Sequence, residues 1–282
     1  MRIRTAAKIN LTLELRGRRA DGFHEIATWM VPVGLYDDLE IERSEAPAFV
    51  SNVPALGWDA ENLIYRAAEL FNEAVGQPNA AYRVQLEKHI PLGAGLAGGS
   101  SDAAATLRTL NALHGGPLPA RTLVDLAGRL GSDVAFFIRQ QPAWCTGRGE
   151  IMKARPFPGR VWCLLVKPGF GIATASAYAA YAKLRPDENK GESVETRWGL
   201  VRNDLEPAVF PKYLVLPVLK RWMRAQAETE LSLMSGSGST LFALTASEDQ
   251  AKAVRERFLA FWGQRFWTFI AEGNPDPGAP PA

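Results

Sequence analysis

Residues 7–15 alternate between apolar and polar. Ile9, Leu11, Leu13 and Leu15 share one face of an extended segment, and Lys8, Asn10, Thr12 and Glu14 share the other. This period of two predicts a strand. Its polar face is either solvated or turns Lys8 and Asn10 together into a cleft. Arg16 to His24 is broken by Asp21-Gly22 and reads as a turn, with extended runs at 25–33 and 39–43. The period changes over 59–75, where Leu63, Ile64, Ala67, Leu70, Phe71 and Ala74 recur at helical spacing. Gly76 and Pro78 then stand where a helix ends. Tyr82, Val84 and Leu86 return to strand alternation. A glycine-rich loop from Pro91 opens a helix rich in Ala and Leu, which starts at Ser100 and ends near Gly115-Gly116-Pro117. A further helix over 119–130 stops at Gly131, and Ser132-Asp133 leads into the apolar run Val134 to Ile138.

The second half mixes the two periods again. Val161 to Val166 reads as a buried strand, 174–184 and 212–230 as helices, and 187–194 as a charged exposed loop. Ser235 to Thr240 is a second glycine-serine turn. A strand at 241–244, a helix at 247–262 and a strand at 266–270 follow. The pattern predicts an α+β protein of two lobes. Residues 1–155 form the N-terminal lobe, which 264–273 is able to rejoin. Residues 156–263 form the C-terminal lobe, and the Pro- and Gly-rich 274–282 reads as a disordered tail.

Composition narrows the class of function. Hydrophobic residues are 47% and charged residues 22% of 282 residues, which excludes a mainly disordered chain. Lys plus Arg is 32 and Asp plus Glu is 30, a net charge of +2. That balance gives no electrostatic case for nucleic-acid binding, yet allows a small phosphorylated ligand. Cys145 and Cys163 are far apart, and His24, His89 and His114 are scattered, so no metal-ligand spacing is present. No apolar run reaches the ~18 residues of a spanning helix. The N-terminus lacks the apolar stretch of a signal peptide. The expectation is a cytoplasmic protein with no membrane partner.

Gly93, Gly95, Gly98 and Gly99 precede a helix start. Glycines let backbone approach a ligand closely, and the first N–H groups of a helix attract anions, phosphate above all. Ser100, Ser101 and Asp102 suit helix caps and equally suit contacts to a ligand or metal. Gly93-x-Gly95-x-x-Gly98 matches the dinucleotide fingerprint literally. However, the acid expected about 20 positions later is replaced by Gly115-Gly116-Pro117-Leu118-Pro119. No Gly-Lys-Ser/Thr occurs, which removes a P-loop.

Three segments in order resemble the GHMP kinase superfamily: Ala7-Lys8-Ile9-Asn10-Leu11, the loop Pro91 to Ala105, and Met234-Ser-Gly-Ser-Gly-Ser239. Arg19-Ala-Asp-Gly-Phe-His24, the Gly-Gly-Ser-Ser-Asp-Ala-Ala ending of the loop, and Gly131-Ser-Asp-Val-Ala-Phe-Phe137 narrow the match. With them the chain is similar to the 4-diphosphocytidyl-2-C-methyl-D-erythritol kinase family over residues 5–245. Asn203-Asp-Leu-Glu206 and Gly147-Arg-Gly-Glu150 also look like family segments. Ala94 and Ala97 depart from the family's frequent Gly, each tolerable at negative φ, and Phe23 stands where Tyr is common.

The resemblance implies a two-lobed GHMP kinase-like fold with its active site in the cleft. It implies transfer of the ATP γ-phosphoryl group to the 2-hydroxyl of the cytidyl substrate. Asp133 matches the catalytic Asp and Lys8 the catalytic Lys that would keep it ionised. Pro91, Gly93, Gly95, Gly98, Gly99, Ser100 and Ser101 match the ATP phosphate site, with Asn62 and Lys88 on the adenine side. Asn10, Phe23, His24 and Tyr178 match the substrate side, and Gly236, Ser237 and Gly238 would line the diphosphate or close the cleft. Mg²⁺ is implied by ATP chemistry; its ligands are unnamed, with Ser101 and Asp102 as candidates. Two alternatives stay open: another GHMP kinase acting on mevalonate, homoserine or a sugar, and a non-catalytic regulator of the same fold.

Overall fold

A computed structural model of the chain describes residues 1–185 and 188–275. Strands β1 (Arg2–Arg18), β2 (His24–Ser44) and β3 (Ala48–Ser51) come first, followed by helix α1 (Leu63–Ala74) and β4 (Ala81–Glu87). Three helices follow, α2 (Gly98–Leu113), α3 (Ala120–Leu130) and α4 (Ser132–Arg139), then β5 (Ala143–Gly147), β6 (Ile151–Ala154) and β7 (Val161–Lys167). Next are α5 (Thr174–Tyr181), β8 (Val194–Thr196), β9 (Gly199–Val201), α6 (Glu206–Val209) and α7 (Val215–Arg224). The last elements are β10 (Leu231–Met234), β11 (Leu241–Thr245), α8 (Glu248–Trp262) and β12 (Trp267–Gly273).

The chain forms two compact units. The first comprises Met1–Ala7, Leu35–Pro91 and Ala97–Gln140. The second comprises Lys8–Gly34, Leu92–Leu96 and the described residues from Gln141 onward. These differ from contiguous lobes at 1–155 and 156–263, because β1 and β2 each pass through both units. Strand β12 pairs with β7 along its whole length and so groups with the second unit. Periodicity shows where a strand lies, not which partner it takes.

In the first unit the second half of β2 pairs antiparallel with β4, from Asp38↔Glu87 to Ser44↔Ala81, and β3 adds in parallel. Leu39, Ile41, Val84 and Leu86 are buried on these strands. Helices α1 to α4 pack on one another, burying Phe71, Leu107, Leu110, Phe136 and Phe137. In the second unit the strand order is β10-β11-β7-β12 and the first half of β2, which also pairs with β5. Cys163 to Val166 and Leu241 to Leu244 are buried throughout, as continuous apolar runs covered on both faces must be. Leu164, Val166, Leu219, Met223, Leu241 and Phe258 belong to this unit's core.

Strand β2 runs 21 residues without the break expected between 33 and 39. At Gly34 an added Cβ would make only ordinary contact with the backbone of Glu272, at 3.5 Å. Asp37 is fully buried, and its Oδ1 accepts from the N–H groups of His89 (2.6 Å) and Ile90 (2.7 Å). The run read as one helix over 212–230 divides into α7 and an irregular segment leading to β10. Of the tail, Asn274 donates its N–H to the carbonyl of Pro32 (2.8 Å), while 276–282 lie outside the described residues, as does Asp187 of the charged loop.

Candidate active site

In the second unit, β1 carries Lys8 and Asn10 on the same face, as alternation requires, and both are 3% exposed. That face is not solvated. The Lys8 ammonium donates to Asn10 Oδ1 (2.7 Å) and to the carbonyl of Gly95 (3.1 Å). Asn10 Nδ2 donates in turn to Thr28 Oγ1 (2.8 Å), whose hydroxyl donates to the carbonyl of Thr12 (2.7 Å).

Two glycine segments meet beside Lys8. Gly95 has φ +74°, and a Cβ there would lie 2.1 Å from the carbonyl oxygen of Ser235. Ser235 Oγ donates to the Gly95 carbonyl (3.0 Å), and the N–H of Thr240 donates to the carbonyl of Ala94 (3.2 Å). At Gly236, φ is +55°, and a Cβ would sit 3.1 Å from Asn10 Oδ1 and 3.4 Å from Lys8 Nζ. The turn from Ser235 to Ser239 is buried, so it is no flexible surface loop. Its Ser237 hydroxyl bonds that of Thr174 (3.1 Å). Gly93 packs against Gly171, and its carbonyl accepts from the N–H of Ile172 (3.2 Å).

His24 lies in the same unit, its ring centroid 5.5 Å from those of Tyr178 and Tyr181. Burial, and after it the charge of Arg18, hold its imidazole below the usual His range. Phe23 is exposed, with the Arg148 guanidinium 5.0 Å over its ring. Glu25 Oε1 accepts from the N–H of Gly147 (3.0 Å), which ties the Arg148 turn to the segment bearing Phe23 and His24.

In the first unit, α2 begins at Gly98, two residues before the expected start. Its first intrahelical bond runs from the N–H of Ser101 to the carbonyl of Ala97 (3.0 Å), which leaves the N–H groups of Gly98, Gly99 and Ser100 ahead of it. Ser100 and Ser101 lie within the first turn, and neither caps the helix. The cap position is Ala97, with φ 56°, not the negative φ that accommodates Ala without strain. Asp102 is no cap either. Its Oδ1 accepts from Thr5 Oγ1 (2.6 Å) and its Oδ2 from Lys88 Nζ (2.8 Å). Lys88 also pairs with Asp37 and is buried, not a surface lysine. Burial raises the Asp102 carboxyl above the usual range, with Lys88 opposing. Asn62 caps α1, its Oδ1 accepting from the N–H of Ile64 (2.9 Å) and its Nδ2 donating to the carbonyl of Gly57 (2.7 Å). Asp133 stands half-buried in the first turn of α4.

The comparisons fit this arrangement. The GHMP kinases N terminal domain model matches residues 62–141, and the GHMP kinases C terminal model matches 182–264. The chain is 42% identical over 259 residues to a 4-diphosphocytidyl-2-C-methyl-D-erythritol kinase of Methylacidiphilum infernorum, covering 86% of this chain and 85% of the relative. It is 37% identical to one of Desulfitobacterium hafniense, covering 92% and 90%. A crystal structure of 4-(cytidine 5'-diphospho)-2C-methyl-D-erythritol kinase superposes with TM-score 0.80 at 36% identity, covering 98% of this chain and 100% of that one.

The chain belongs to the 4-diphosphocytidyl-2-C-methyl-D-erythritol kinase family.

It has the mixed α+β fold of the GHMP kinases, which a homoserine kinase of Cytophaga hutchinsonii shares at 18% identity and TM-score 0.71. Seen as a member of this kinase family, the second unit gathers Lys8, Asn10, Gly95 and Gly236, and separately His24 and Tyr178. The first unit holds Asp133, the first turn of α2, Asn62 and Lys88. Sequence reasoning missed the work of Thr28, Asp37, Arg148 and Asn203. The last two lie in the segments Gly147-Arg-Gly-Glu150 and Asn203-Asp-Leu-Glu206, where the family likeness was the available signal. Among the described residues no helix is long and apolar enough to cross a membrane.

Proposed function

We propose that this chain transfers the γ-phosphoryl group of ATP to the 2-hydroxyl of 4-diphosphocytidyl-2-C-methyl-D-erythritol. Family membership supports the reaction. The observation that carries the chemistry is the buried Lys8 ammonium, fixed against Gly95 and the Gly236 turn. Phosphoryl transfer needs placement and charge stabilisation more than covalent help from the protein. Lys8 offsets charge on the transferring group. Asp133 orients the acceptor hydroxyl and takes its proton. The phosphates lie on the loop from Pro91 through Gly93, Gly95 and Gly99 and on the first N–H groups of α2. Asn62 and Lys88 spend their side chains on protein partners, and they shape the adenine side through the backbone they fix. Mg²⁺ travels with the phosphates. Asp102 is a poor fit as its ligand, since both carboxylate oxygens are engaged. We assign the chain to the cytoplasm, where this small-molecule chemistry has its ATP.

His24 and Tyr178 hold the cytosine, with Phe23 and Arg148 at its edge, and Ser237 lines the diphosphate. A neutral imidazole can both donate and accept toward a base edge. Because the His24 pKa is lowered, the neutral form prevails above pH ~6.5. KM for the cytidyl substrate is therefore flat above that pH and rises as pH falls through the lowered value. His24→Ala raises this KM about 10-fold or more and leaves KM for ATP within about twofold. Lys8→Ala and Asp133→Asn each lower kcat by about 10²–10⁴.

The deciding experiment measures ADP release from ATP and Mg²⁺ with the cytidyl substrate, and with mevalonate, homoserine and galactose in parallel. Turnover with the cytidyl substrate alone is expected. Turnover with another acceptor removes the cytosine assignment, and none with any acceptor removes the kinase assignment.

A further inference from the structure

The segment Asn203-Asp204-Leu205-Glu206 is among the most buried polar stretches of the second unit. Asn203 is fully buried. Its Nδ2 donates twice, to the carbonyls of Met234 (2.7 Å) and Gly236 (2.8 Å). Its Oδ1 accepts from the N–H of Leu205 (2.9 Å). Three of its four hydrogen-bonding positions are thus filled by backbone, one of them by the turn that abuts Lys8 and one by the end of β10 just before it. The same residue lies against β1. The N–H of Leu13 donates to the Arg202 carbonyl (2.7 Å), and the N–H of Asp204 donates to the Leu13 carbonyl (2.9 Å). Asn203 therefore joins the strand that carries Lys8 and Asn10 to the turn that carries Gly236. Glu206 strengthens the tie, its Oε1 accepting from the N–H of Met234 (2.9 Å).

We propose that Asn203 is a positioning residue for phosphoryl transfer, holding the Gly236 turn at contact distance from the Lys8 ammonium and Asn10. It touches no reacting atom and acts through Lys8. The logic is geometric. Gly236 leaves only 3.1–3.4 Å between an added Cβ and the polar atoms of Asn10 and Lys8, so a small retreat or advance of the turn changes where the ammonium rests. The carbonyls of Met234 and Gly236 are acceptors that one two-proton amide donor serves together. Deepening the kinase assignment above, this inference rests on Lys8 serving the transfer, but not on which acceptor is phosphorylated.

Asn203→Asp is the isosteric test, since it keeps the acceptor and replaces both donors by oxygen. Asn203→Ser is the second variant and retains a single donor. Activity is counted per folded molecule, with near-ultraviolet circular dichroism giving the folded fraction, and the acceptor is whichever one the wild type turns over. A displaced catalytic group is expected to lower kcat about 100-fold in Asn203→Asp, with both KM values within about threefold. Asn203→Ser should fall between that variant and wild type. Acting through Lys8 also means non-additivity. In a Lys8→Ala background, Asn203→Asp should lower the residual kcat by less than about threefold. Two results overturn the proposal: a kcat per folded molecule within threefold of wild type in both variants, whatever their thermal stability, or a full 100-fold further loss in the Lys8→Ala background. Wild-type turnover of a different acceptor would sink the cytidyl assignment and leave this test in force.

Discussion

The two glycine segments are held by opposite means. Beside the first, at the start of α2, the first unit places a buried ammonium between two buried carboxylates, Lys88 between Asp37 and Asp102. Gly98 is packed so closely there that an added Cβ would lie 3.1 Å from Lys88 Nζ. Beside the second, the second unit uses the neutral amide of Asn203, with the Glu206–Lys220 pair one step behind (2.6 Å). The Lys88 ammonium is held by both carboxylates, and Asp102 accepts from Thr5 as well, so the cluster's polar atoms are engaged. The Gly236 turn is held through its carbonyl by an uncharged amide. The difference teaches that the start of α2 is braced by ions, whereas the Gly236 turn is braced by dipoles.

The largest effect is expected of Gly95→Ala, where the two glycine segments touch. A Cβ at φ +74° would meet the Ser235 oxygen at 2.1 Å and Gly238 backbone at 3.0 Å. Backbone cannot swing aside as a flexible side chain can. The left-handed strain and overpacking together should cost about 3 kcal/mol or more. In a chain of this length that lowers Tm by roughly 5 °C, read by thermal unfolding. Activity should be lost well below that temperature, because the Gly95 carbonyl is one of the acceptors holding Lys8. A variant with wild-type Tm and kcat would show that the two glycine segments are not interlocked.

Next in size is Lys88→Met, which sharpens the contrast between ions and dipoles. Removing one partner from a buried ion cluster leaves carboxylates without a cation and costs about 3–5 kcal/mol. Asn203→Ala, which strands two carbonyls, should cost about 1–3 kcal/mol. The pH dependence separates the two. The Asp102 carboxyl is already raised by burial against the pull of Lys88, and without Lys88 it rises further. A raised acid contributes stability that is full below its unfolded pKa and is lost as pH rises through the folded one. The deficit of Lys88→Met measured by urea unfolding should therefore grow from pH 5 to pH 8, and that of Asn203→Ala should stay level. Parallel pH profiles would refute the distinction between the two clamps.

The elements set by periodicity were legible in sequence: β1 from Ile9 to Leu15, α1, β4, α3, β7 and α8 all fall where apolar spacing puts them. The three motif segments were legible too, because the residues that matter in them are consecutive. What sequence did not carry was pairing and payment for burial. Asp37 is satisfied by the N–H groups of His89 and Ile90, 52 and 53 residues on. Lys88 is held by Asp37 and Asp102 from 51 and 14 residues away. The partners of Asn203 lie 31 and 33 residues on. In each case the deciding contact is long-range, which no local pattern encodes.

The smallest effect concerns Ala97, where the ion-clamped segment carries a local conflict. Its φ of 56° is the left-handed region, and an L-residue with a Cβ pays roughly 1–2 kcal/mol to occupy it. Gly would occupy it without that strain, at the cost of a more flexible unfolded chain. Ala97→Gly should therefore stabilise the protein by about 1 kcal/mol, measured by urea unfolding, and leave kcat within about twofold, because no side-chain atom of Ala97 caps α2. The ion cluster bears on the result. With Lys88 holding Asp102 behind the first turn, the helix start is fixed whichever residue stands at 97, so the gain should appear in stability and not in KM for ATP. A lower KM for ATP in Ala97→Gly would mean that the cap residue, and not the Lys88 cluster, limits how well the loop receives phosphate.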